Sequence, residues 1–394
     1  MRTGWQTKTL GDVFGKTETV NPVQAPEAEF QYIDVSSISN KTFRVEQVQQ
    51  LRGKDAPSRA RRLVRANDVL FATIRPTLQR IAIIPEELDG VVCSTGYFIL
   101  RPKSEIDHRF LFYFLFTEGF MGQMESLQKG ASYPAVTDAE VRAQEFSFPS
   151  LAEQQRIVGI LDEAFEGIAT AKANAEKNLQ NARAIFESYL NAVFTEKGHG
   201  WVEKTLGEVC TLRSGTTVDK SLEKAAGDLP YLKVADMSHL GNELAIFSSS
   251  RFLNKSDIGK NAILPTGTTI FPKRGGAILT NKKRLTAVPI CADLNIMGVI
   301  PSRVLLPKFL FFYFLNVDMR QLGSGSSIPQ INNYDIEPLV IAFPQATAEQ
   351  DRIVSILEDL SAETQRLESI YQRKLAALDA LKKSLLNQAF TGQL

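Results

Sequence analysis

The chain has 394 residues, of which 44% are hydrophobic and 23% are charged, and its formal net charge is +1. This composition is typical of folded globular domains and excludes an intrinsically disordered chain, and the length predicts two or three domains. A net charge near zero gives no general support for nucleic-acid binding, so such a function must depend on local charge.

The scattered cysteines and histidines exclude two other classes of protein. Three cysteines and three histidines are spread through the chain without close spacing. The sequence therefore predicts neither a disulfide scaffold nor a bound metal. No stretch approaches 18 uninterrupted apolar residues, and residues 1–5 lack the apolar core of a signal peptide. We expect a cytoplasmic protein without a membrane partner.

The sequence contains two similar copies of one pattern. Residues 8–13 (KTLGDV) recur as residues 204–209 (KTLGEV), and residues 152–158 recur as residues 348–354, both 196 positions later. Weaker matches lie between these anchors in the same order: YIDV at Tyr32 aligns with YLKV at Tyr231, and GASYP at Gly130 with GSSIP at Gly325. This order predicts an internal duplication with pseudo-two-fold symmetry. Each copy is a globular block followed by a helical block.

The two globular blocks, residues 1–149 and 197–344, have the pattern of an α+β fold. Short apolar runs punctuated by Gly and Pro predict strands at residues 68–74 and 268–271. Residues 110–116 and 309–315 are apolar on every face, so each is predicted to form a buried helix.

The helical blocks, residues 150–196 and 345–394, carry a heptad pattern. Most seam positions are apolar, with small residues frequent in the first block and large ones in the second. We expect the two helices to pack as an antiparallel coiled coil between the globular blocks; the alternative is pairing between two copies of the chain. The seam positions are 157, 161, 164, 168, 171, 175, 178, 182, 185 and 189, then 353, 357, 360, 364, 367, 371, 374, 378, 381 and 385.

Recognisable catalytic motifs are missing. The segment from Gly11 to Thr17 resembles a phosphate-binding loop, but it has three residues between its glycines where four are required, so we interpret it as a turn. The carboxylates of Asp34, Asp68 and Asp236 have no partner evident from spacing and are interpreted as turn or cap residues. The sequence therefore favours a binding protein over an enzyme.

Each globular block contains one dense run of basic residues. Arginine and lysine neutralise phosphates, arginine also binds guanine edges, and amide side chains suit adenine. Recurrence in both blocks favours DNA binding over a solvated loop. The predicted DNA-binding residues are Arg59, Arg61, Arg62, Arg65, Thr73, Arg75 and Gln79 in the first block, and Lys273, Arg274, Asn281, Lys282, Lys283 and Arg284 in the second.

The repeated motifs around the helical blocks resemble those of a known family. A Phe-Pro pair precedes EQQRIV (residues 153–158) and EQDRIV (349–354), and the helices close in NAVFT (191–195) and NQAFT (387–391). Over essentially its full length the chain resembles the specificity (S) subunit of Type I restriction-modification systems. Some fused restriction enzymes share the motif.

The resemblance implies a division of labour. Each globular block would be a target recognition domain for one half of a bipartite, asymmetric DNA site, while the helices set the spacing and dock two methyltransferase (M) subunits. Those subunits would bring S-adenosylmethionine, restriction (R) subunits would bring ATP and Mg²⁺, and this chain would hold no cofactor and perform no catalysis. The alternative function is a coiled-coil adaptor that does not bind DNA, and a nucleotide-dependent enzyme is disfavoured.

Overall fold

The computed structural model describes residues 4–323 and 329–394, which form two compact units. Unit 1 comprises residues 1–176 and 373–394, and unit 2 comprises residues 177–372. Each unit therefore contains a globular block, part of one long helix and part of the other. Most of the segment aligned to residues 130–134, from 324 to 328, lies outside the described residues.

Unit 1 has a two-stranded, a five-stranded and a three-stranded sheet. Most strand pairs are antiparallel, but the strand Glu29–Ile33 runs parallel to Val92–Ser94. The strands are Gln6–Thr9, Glu18–Thr19, Glu29–Ile33, Gln49–Arg52, Ala60–Leu63, Val69–Ala72, Ile81–Ile83, Val92–Ser94, Tyr97–Leu100 and Glu145–Phe148. The short α-helices are Leu10–Val13, His108–Phe114, Glu118–Leu127 and Asp138–Arg142.

Unit 2 repeats this plan with a two-stranded, a five-stranded and a four-stranded sheet. Here too one inner pair, Leu229–Leu232 with Ile290–Ala292, is parallel. The strands are Trp201–Thr205, Cys210–Ser214, Leu229–Leu232, Ala245–Ile246, Phe252–Leu253, Ile263–Leu264, Thr269–Pro272, Arg284–Thr286, Ile290–Ala292, Ile296–Pro301 and Val340–Pro344. The short α-helices are Leu206–Val209, Pro307–Asn316 and Asn333–Ile336.

The α+β prediction is confirmed, and strands occupy both apolar runs, at Val69–Ala72 and Thr269–Pro272. The aromatic segments are helices, Pro307–Asn316 and His108–Phe114. The first of these is buried as predicted, but the second is buried only in part. Its outer aromatic side chains line a groove of about 780 Å³ rather than the interior, so the prediction of a wholly buried helix was wrong there.

Two helices of 45 residues each, Leu151–Thr195 and Thr347–Thr391, follow the globular blocks. In unit 1 they run antiparallel, because Arg156 donates to the carbonyl of Leu394 while Lys172 pairs with Asp379 at 2.5 Å. Their seam is covered from within the chain, which favours the intrachain coiled coil over pairing between copies. Among the described residues, these and all other helices lack the combination of length and apolar character needed to cross a membrane.

The same antiparallel contact recurs in unit 2. Arg183 pairs with Glu368 at 2.7 Å, and further along the first helix Leu190 joins a buried cluster with Leu357 of the second. Small side chains of the first helix, including the buried Ala182, lie where the predicted seam requires them. The heptad pattern therefore identified the packed faces over most of their length.

Several later positions of the predicted seam were wrong, although the last one in the second helix, Leu385, packs against the core of unit 1. Ile185 is 58% exposed, and Phe186 and Leu190 face the interior instead. Leu381 of the second helix is likewise 47% exposed, and Lys382 is half-buried. A straight α-helix has 3.6 residues per turn, so a strict seven-residue repeat drifts by about 20° per heptad and leaves the packed face after several turns.

Asn178, Tyr189 and Lys374 were also assigned to the seam, and all three are exposed. The neighbouring Leu179 and Leu375 are partly covered in place of Asn178 and Lys374. The step from 371 to 375 is four residues, as the helical repeat of 3.6 requires.

The closing motif of each long helix anchors it to an aromatic helix. Phe390 lies 4.7 Å from Phe110 between ring centroids in unit 1, and Phe194 lies 5.3 Å from Phe309 in unit 2. Both contacts are tilted or edge-on, which is the favoured aromatic geometry. The repeated Phe-Thr pair therefore marks the point where a helix end joins the core of a globular block.

The opening motif is explained by a buried glutamine. Gln154 is fully buried; its Oε1 accepts from the amide of Asp107 at 2.9 Å, and its Nε2 donates to the carbonyls of Glu105 at 2.9 Å and Pro149 at 3.0 Å. Gln350 is also fully buried and makes the equivalent three bonds in unit 2. One amide thus joins the long helix, the preceding strand and the loop before the aromatic helix.

We expect Gln154→Ala to destabilise unit 1 by about 3 kcal/mol. It leaves one buried and two partly buried backbone groups without their partner, and an unsatisfied buried group costs roughly 1 to 3 kcal/mol. Urea unfolding of the purified chain measures the change. The matched control is Gln155→Ala, an exposed neighbour on the same helix, which should stay within about 0.5 kcal/mol of the parent. Equal unfolding midpoints for the two variants would contradict the role of the buried amide.

Candidate nucleic-acid interface

One loop in each globular block is held by equivalent backbone hydrogen bonds to two neighbouring segments, and we call this arrangement the frame. In the first block, loop 73–80 follows the strand Val69–Ala72; the amide of Thr73 donates to Gly96 at 2.9 Å, and its carbonyl accepts from Val136 at 2.9 Å. Loop 273–282 in the second block makes the corresponding bonds from Lys273, to Asn295 and from Ile331, at 2.8 and 2.9 Å. Both loops are therefore fixed at their first residue by the same two neighbouring segments.

The tips of both loops contain left-handed residues. Arg75 (φ 50°) and Gln79 (φ 54°) flank the 3₁₀ turn Pro76–Leu78. In the second block Gly275 (φ 66°) and Asn281 (φ 53°) occupy the matching places. A left-handed conformation is unfavourable for residues other than glycine and persists only where the surroundings enforce it.

Hydrogen bonds enforce this conformation at the start of each turn. The amide of Arg75 donates to the carbonyl of Pro134 at 2.6 Å, and that of Gly275 to Pro329 at 2.8 Å. The two prolines are also the last residues of the weakly matched segments of the duplication. The direction in which the Arg75 side chain leaves the backbone is therefore fixed by the fold.

In unit 1, loop 73–80 borders a concave, basic pocket of about 610 Å³. Two predicted residues, Arg59 and Arg75, lie on it, and both are exposed. Arg80 also lies there, although the sequence prediction missed it because it stands outside the dense basic run. We name this the first-block concavity; it is lined by Asp34, Val35, Ser36, Arg59, Ile74, Arg75, Leu78, Arg80, Tyr133 and Ala135.

Basic side chains at the end of each loop bind it to a neighbouring 3₁₀ turn. Arg80 donates to the carbonyl of Ile38 at 2.6 Å, next to the 3₁₀ turn Val35–Ser37. Lys282 occupies the matching place in the second block and donates to the hydroxyl of Ser238, in the turn Val234–Ser238. Arg80 and Lys282 thus hold equivalent loops against equivalent turns.

Three other predicted arginines of the first block are bound to protein groups. Arg62 pairs with Asp138 at 2.6 Å, Arg65 with Glu18 at 3.2 Å, and Arg61 donates to Asn21 at 2.5 Å. The Glu18 carboxylate raises the pKa of Arg65. These arginines do not line the first-block concavity. Carboxylates partly neutralise the charges of Arg62 and Arg65, whereas the partner of Arg61 is a neutral amide.

Two uncharged predicted residues of the first block stand in different environments. Thr73 is buried, and its hydroxyl donates to the carbonyl of Gly96 at 3.1 Å. Gln79 is partly exposed at the end of the 3₁₀ turn. Thr73 therefore acts on the shape of the loop, whereas Gln79 is at its surface.

Arg274 is the exposed cation of the second-block loop. Its side chain makes no hydrogen bond or ion pair with any described residue. Its backbone pairs with Gln330, as that of Ile74 pairs with Ala135 in the first block. Arg274 therefore matches Ile74 of the first block, one position before Arg75.

The remaining cations of the second block are covered to different degrees. Lys273 is buried and donates to the hydroxyl of Ser214 at 2.6 Å, and Lys283 is 3% exposed. Burial lowers the pKa of Lys273, and it lowers that of Lys283 to about 8. Arg284 is partly buried and donates to the carbonyl of Asn242, and desolvation lowers its pKa as well.

Asn281 links these cations to the rest of unit 2. Its Oδ1 accepts from the amide of Met319 at 2.9 Å and from the ammonium of Lys283 at 2.8 Å. The amide group was predicted to suit adenine, but its oxygen is occupied by protein donors. Its nitrogen is the part of this side chain that is open to a further partner.

The buried carboxylates have structural partners. Asp68 forms a two-point pair with Arg101 at 2.9 Å, and Asp236 accepts from the amides of Lys233 and Ser250. The interpretation of Asp236 as a cap is thereby confirmed. Among residues 4–323 and 329–394, no group of three or more His, Cys, Asp or Glu side chains is placed to hold a metal ion.

Comparison with known proteins gives consistent matches over both copies. A family model described as the Type I restriction modification DNA specificity domain matches residues 2–180 and again 198–374. The MjaIX specificity subunit of Methanocaldococcus jannaschii, a Type I restriction enzyme, is 24% identical over 349 residues, which are 82% of this chain and 77% of that protein.

Solved structures agree with this match. A chain from a structural study of complex assembly and conformational transition of the type I R-M system is 27% identical, with a TM-score of 0.88 over 100% of this chain and 99% of that one. The HsdS subunit from Thermoanaerobacter tengcongensis is also 27% identical, with a TM-score of 0.70 over 100% and 98%.

The burial of Lys283 predicts a pH dependence of stability. Its pKa is about 8 in the folded chain against an ordinary 10.5, so between these values the unfolded chain binds a proton that the folded chain does not. The free energy of unfolding should therefore rise with pH across this window, by at most about 1.4 kcal/mol per pH unit from this group. Urea titrations across the window measure the slope.

Lys283→Met should reduce that slope and leave Asn281 bonded to Met319. Lys260→Met, which removes an exposed lysine of the same unit, is the matched control and should keep the slope of the parent chain. The explanation fails if both substitutions change the slope equally.

Proposed function

Because the chain belongs to the Type I restriction-modification DNA specificity family, we propose that each globular block reads one half of a bipartite, asymmetric DNA site. The two family matches coincide with the two copies of the duplication. As a specificity subunit the chain supplies recognition and performs no catalysis. The proposal for individual residues rests on one observation: the equivalent loops 73–80 and 273–282 each carry an exposed arginine.

In the first block, the first-block concavity is the proposed DNA-binding surface. It gathers three arginines from separate parts of the sequence, and Arg59 has no hydrogen bond or ion pair from its side chain among the described residues. Such a side chain is available to a phosphate, which attracts any sequence alike. Sequence discrimination instead requires contacts to base edges, for which Arg75 is the better placed residue.

In the second block, Arg274 takes the corresponding role. It is exposed beside Gly275 and Gly276, where the lack of side chains permits a close approach of backbone and DNA. The two loops share their backbone hydrogen bonds, but the exposed arginine stands at a different position in each. This difference supports recognition of different half-sites by the two blocks.

The covered members of the predicted set are proposed as positioning residues. Lys273, Lys283 and Thr73 are buried and bonded to protein groups. Direct contact with a base would require each to leave its partner. Their proposed effect on DNA binding therefore passes through the shape of the loops.

For Arg61, Arg62, Arg65 and Arg284, we propose a supporting electrostatic role. Each is partly exposed and bonded within the protein. A charge held in this way still contributes to the local potential, although screening limits its reach to about 10 Å at 0.1 M salt.

The partners follow from the family. We propose that two methyltransferase subunits dock on the long helices, that restriction subunits join this assembly, and that the length of the helices sets the spacing of the half-sites. S-adenosylmethionine, ATP and Mg²⁺ would be bound by those partners, in the cytoplasm. The alternative of an adaptor without DNA is not favoured, since the family is defined by DNA specificity.

Arg274→Ala should weaken recognition of the half-site read by the second block and leave the other half-site unchanged. A lost base contact is expected to cost about 1 to 3 kcal/mol and to relax specificity at one position, whereas a lost phosphate contact weakens all sequences alike. Competition binding of the assembled methyltransferase complex to duplexes that vary at single positions separates the two results.

Arg303→Ala provides the matched control, since this arginine is exposed in the same block outside loop 273–282. It should bind every duplex as the parent complex does. If Arg274→Ala and Arg303→Ala behave identically at each position, loop 273–282 does not read DNA.

A further inference from the structure

The first-block concavity contains one acidic group among its arginines. Asp34 lies on it with Arg59, Arg75 and Arg80, yet it forms no ion pair with any described residue. Its oxygens accept from the hydroxyls of Tyr32 at 3.2 Å and Ser36 at 3.4 Å, and it also forms a capping box with Ser37 at the start of the turn Val35–Ser37. A carboxylate on a DNA-binding surface repels phosphates, so any contact that Asp34 makes with DNA should be to another group.

A base edge provides such a partner. In the major groove, cytosine presents an exocyclic amino group as a hydrogen-bond donor, and aspartate accepts from it. The two hydroxyl contacts of Asp34 are long, and an ionised carboxylate has about four acceptor positions, so acceptor capacity is left over beside the capping box. The sequence predicts a turn or cap residue at Asp34, and the structure confirms the cap. Nothing in its spacing placed it near an arginine.

Arg75 has the complementary chemistry and little freedom to move. Its guanidinium carbon lies 4.9 Å from the centroid of the Tyr133 ring, and Nη2 donates to the carbonyl of Ser132 at 3.1 Å. Stacking and the enforced left-handed backbone orient the guanidinium before DNA arrives, while Nε and Nη1 remain open. The planar fork of arginine fits the two acceptors of a guanine edge.

We propose that Arg75 and Asp34 together make the first block select a G·C base pair, with the arginine bound to guanine and the aspartate to cytosine. This inference rests on the proposed function. It gives Asp34 a role in specificity. The Tyr133 side chain, which is 71% exposed, positions Arg75 by stacking.

The second block lacks both groups at the matching places. Tyr32 and Tyr231 lie on equivalent parallel strands, and two residues later Asp34 is replaced by Lys233, whose ammonium pairs with Glu223 at 2.7 Å. Gly275 stands where Arg75 does. The second block therefore carries no such Arg–Asp pair, and selection by this pair belongs to the half-site of the first block.

The test uses the full chain assembled with its methyltransferase subunits and a duplex library randomised through one half-site at a time. Sequencing of the methylated fraction gives the preference at each position. The parent should favour G·C at one position of the half-site read by the first block. Arg75→Ala and Asp34→Asn should each reduce that preference roughly 5- to 150-fold at the same position.

Asp34→Asn keeps an oxygen for the Tyr32 hydroxyl and adds an amide donor suited to adenine, so part of the lost preference should move to an A·T pair. Retained selectivity at the other half-site shows that each variant is folded. The matched controls are Arg44→Ala and Glu125→Gln, which change exposed charges outside the concavity and should leave the whole profile unchanged.

Two results overturn the inference: an unchanged preference in both variants, or a uniform loss at every position, which would assign both residues to phosphate contacts. If Arg274→Ala still alters the second half-site, such a result removes this inference and leaves the proposed function standing. If no variant in either block alters any position, the proposed function fails as well.

Discussion

The packing of each globular block onto both long helices is the constraint on which the rest depends. In unit 1 one continuous core joins the start of the first helix, at Ile157 and Leu161, to the end of the second, at Leu386 and Ala389. Unit 2 repeats this arrangement with the helices exchanged. Because protein cores are densely packed and resist deformation, each block is held firmly on its helices. A recognition loop on such a block keeps a fixed orientation to the coiled coil that carries it.

The duplication repeats one backbone frame, and each copy can carry different side chains for recognition. The bonds that fix loops 73–80 and 273–282 are backbone bonds, so they tolerate a change of side chain. Arg75 in one loop and Arg274 in the other show the result, since each is presented from the same frame at a different position. Buried groups such as Lys283 constrain the loops from behind, and substitutions at the tips can alter recognition without altering the fold.

Much of the architecture could be predicted from the sequence because repetition and apolar periodicity are properties of the chain alone. The heptads located the packed faces until helical drift moved them past Ile185 and Leu381. The basic runs pointed to the neighbourhoods of the two proposed recognition loops. Burial of Lys273 and pairing of Arg62 depend on long-range contacts that spacing does not reveal. Asp34 was missed for the same reason, because it meets the arginines of the concavity only through the fold. Arg80 was missed because it stands outside the dense basic run.

The most direct test of the central claim is an exchange of residues 15–150 for the corresponding block of another specificity subunit, followed by sequencing of the bases methylated by the assembled complex. If each block reads its own half-site, the half-site of the first block should change to that of the donor while the second half-site is retained. An unchanged site, or a loss of selectivity in both halves, would contradict independent recognition by the two blocks.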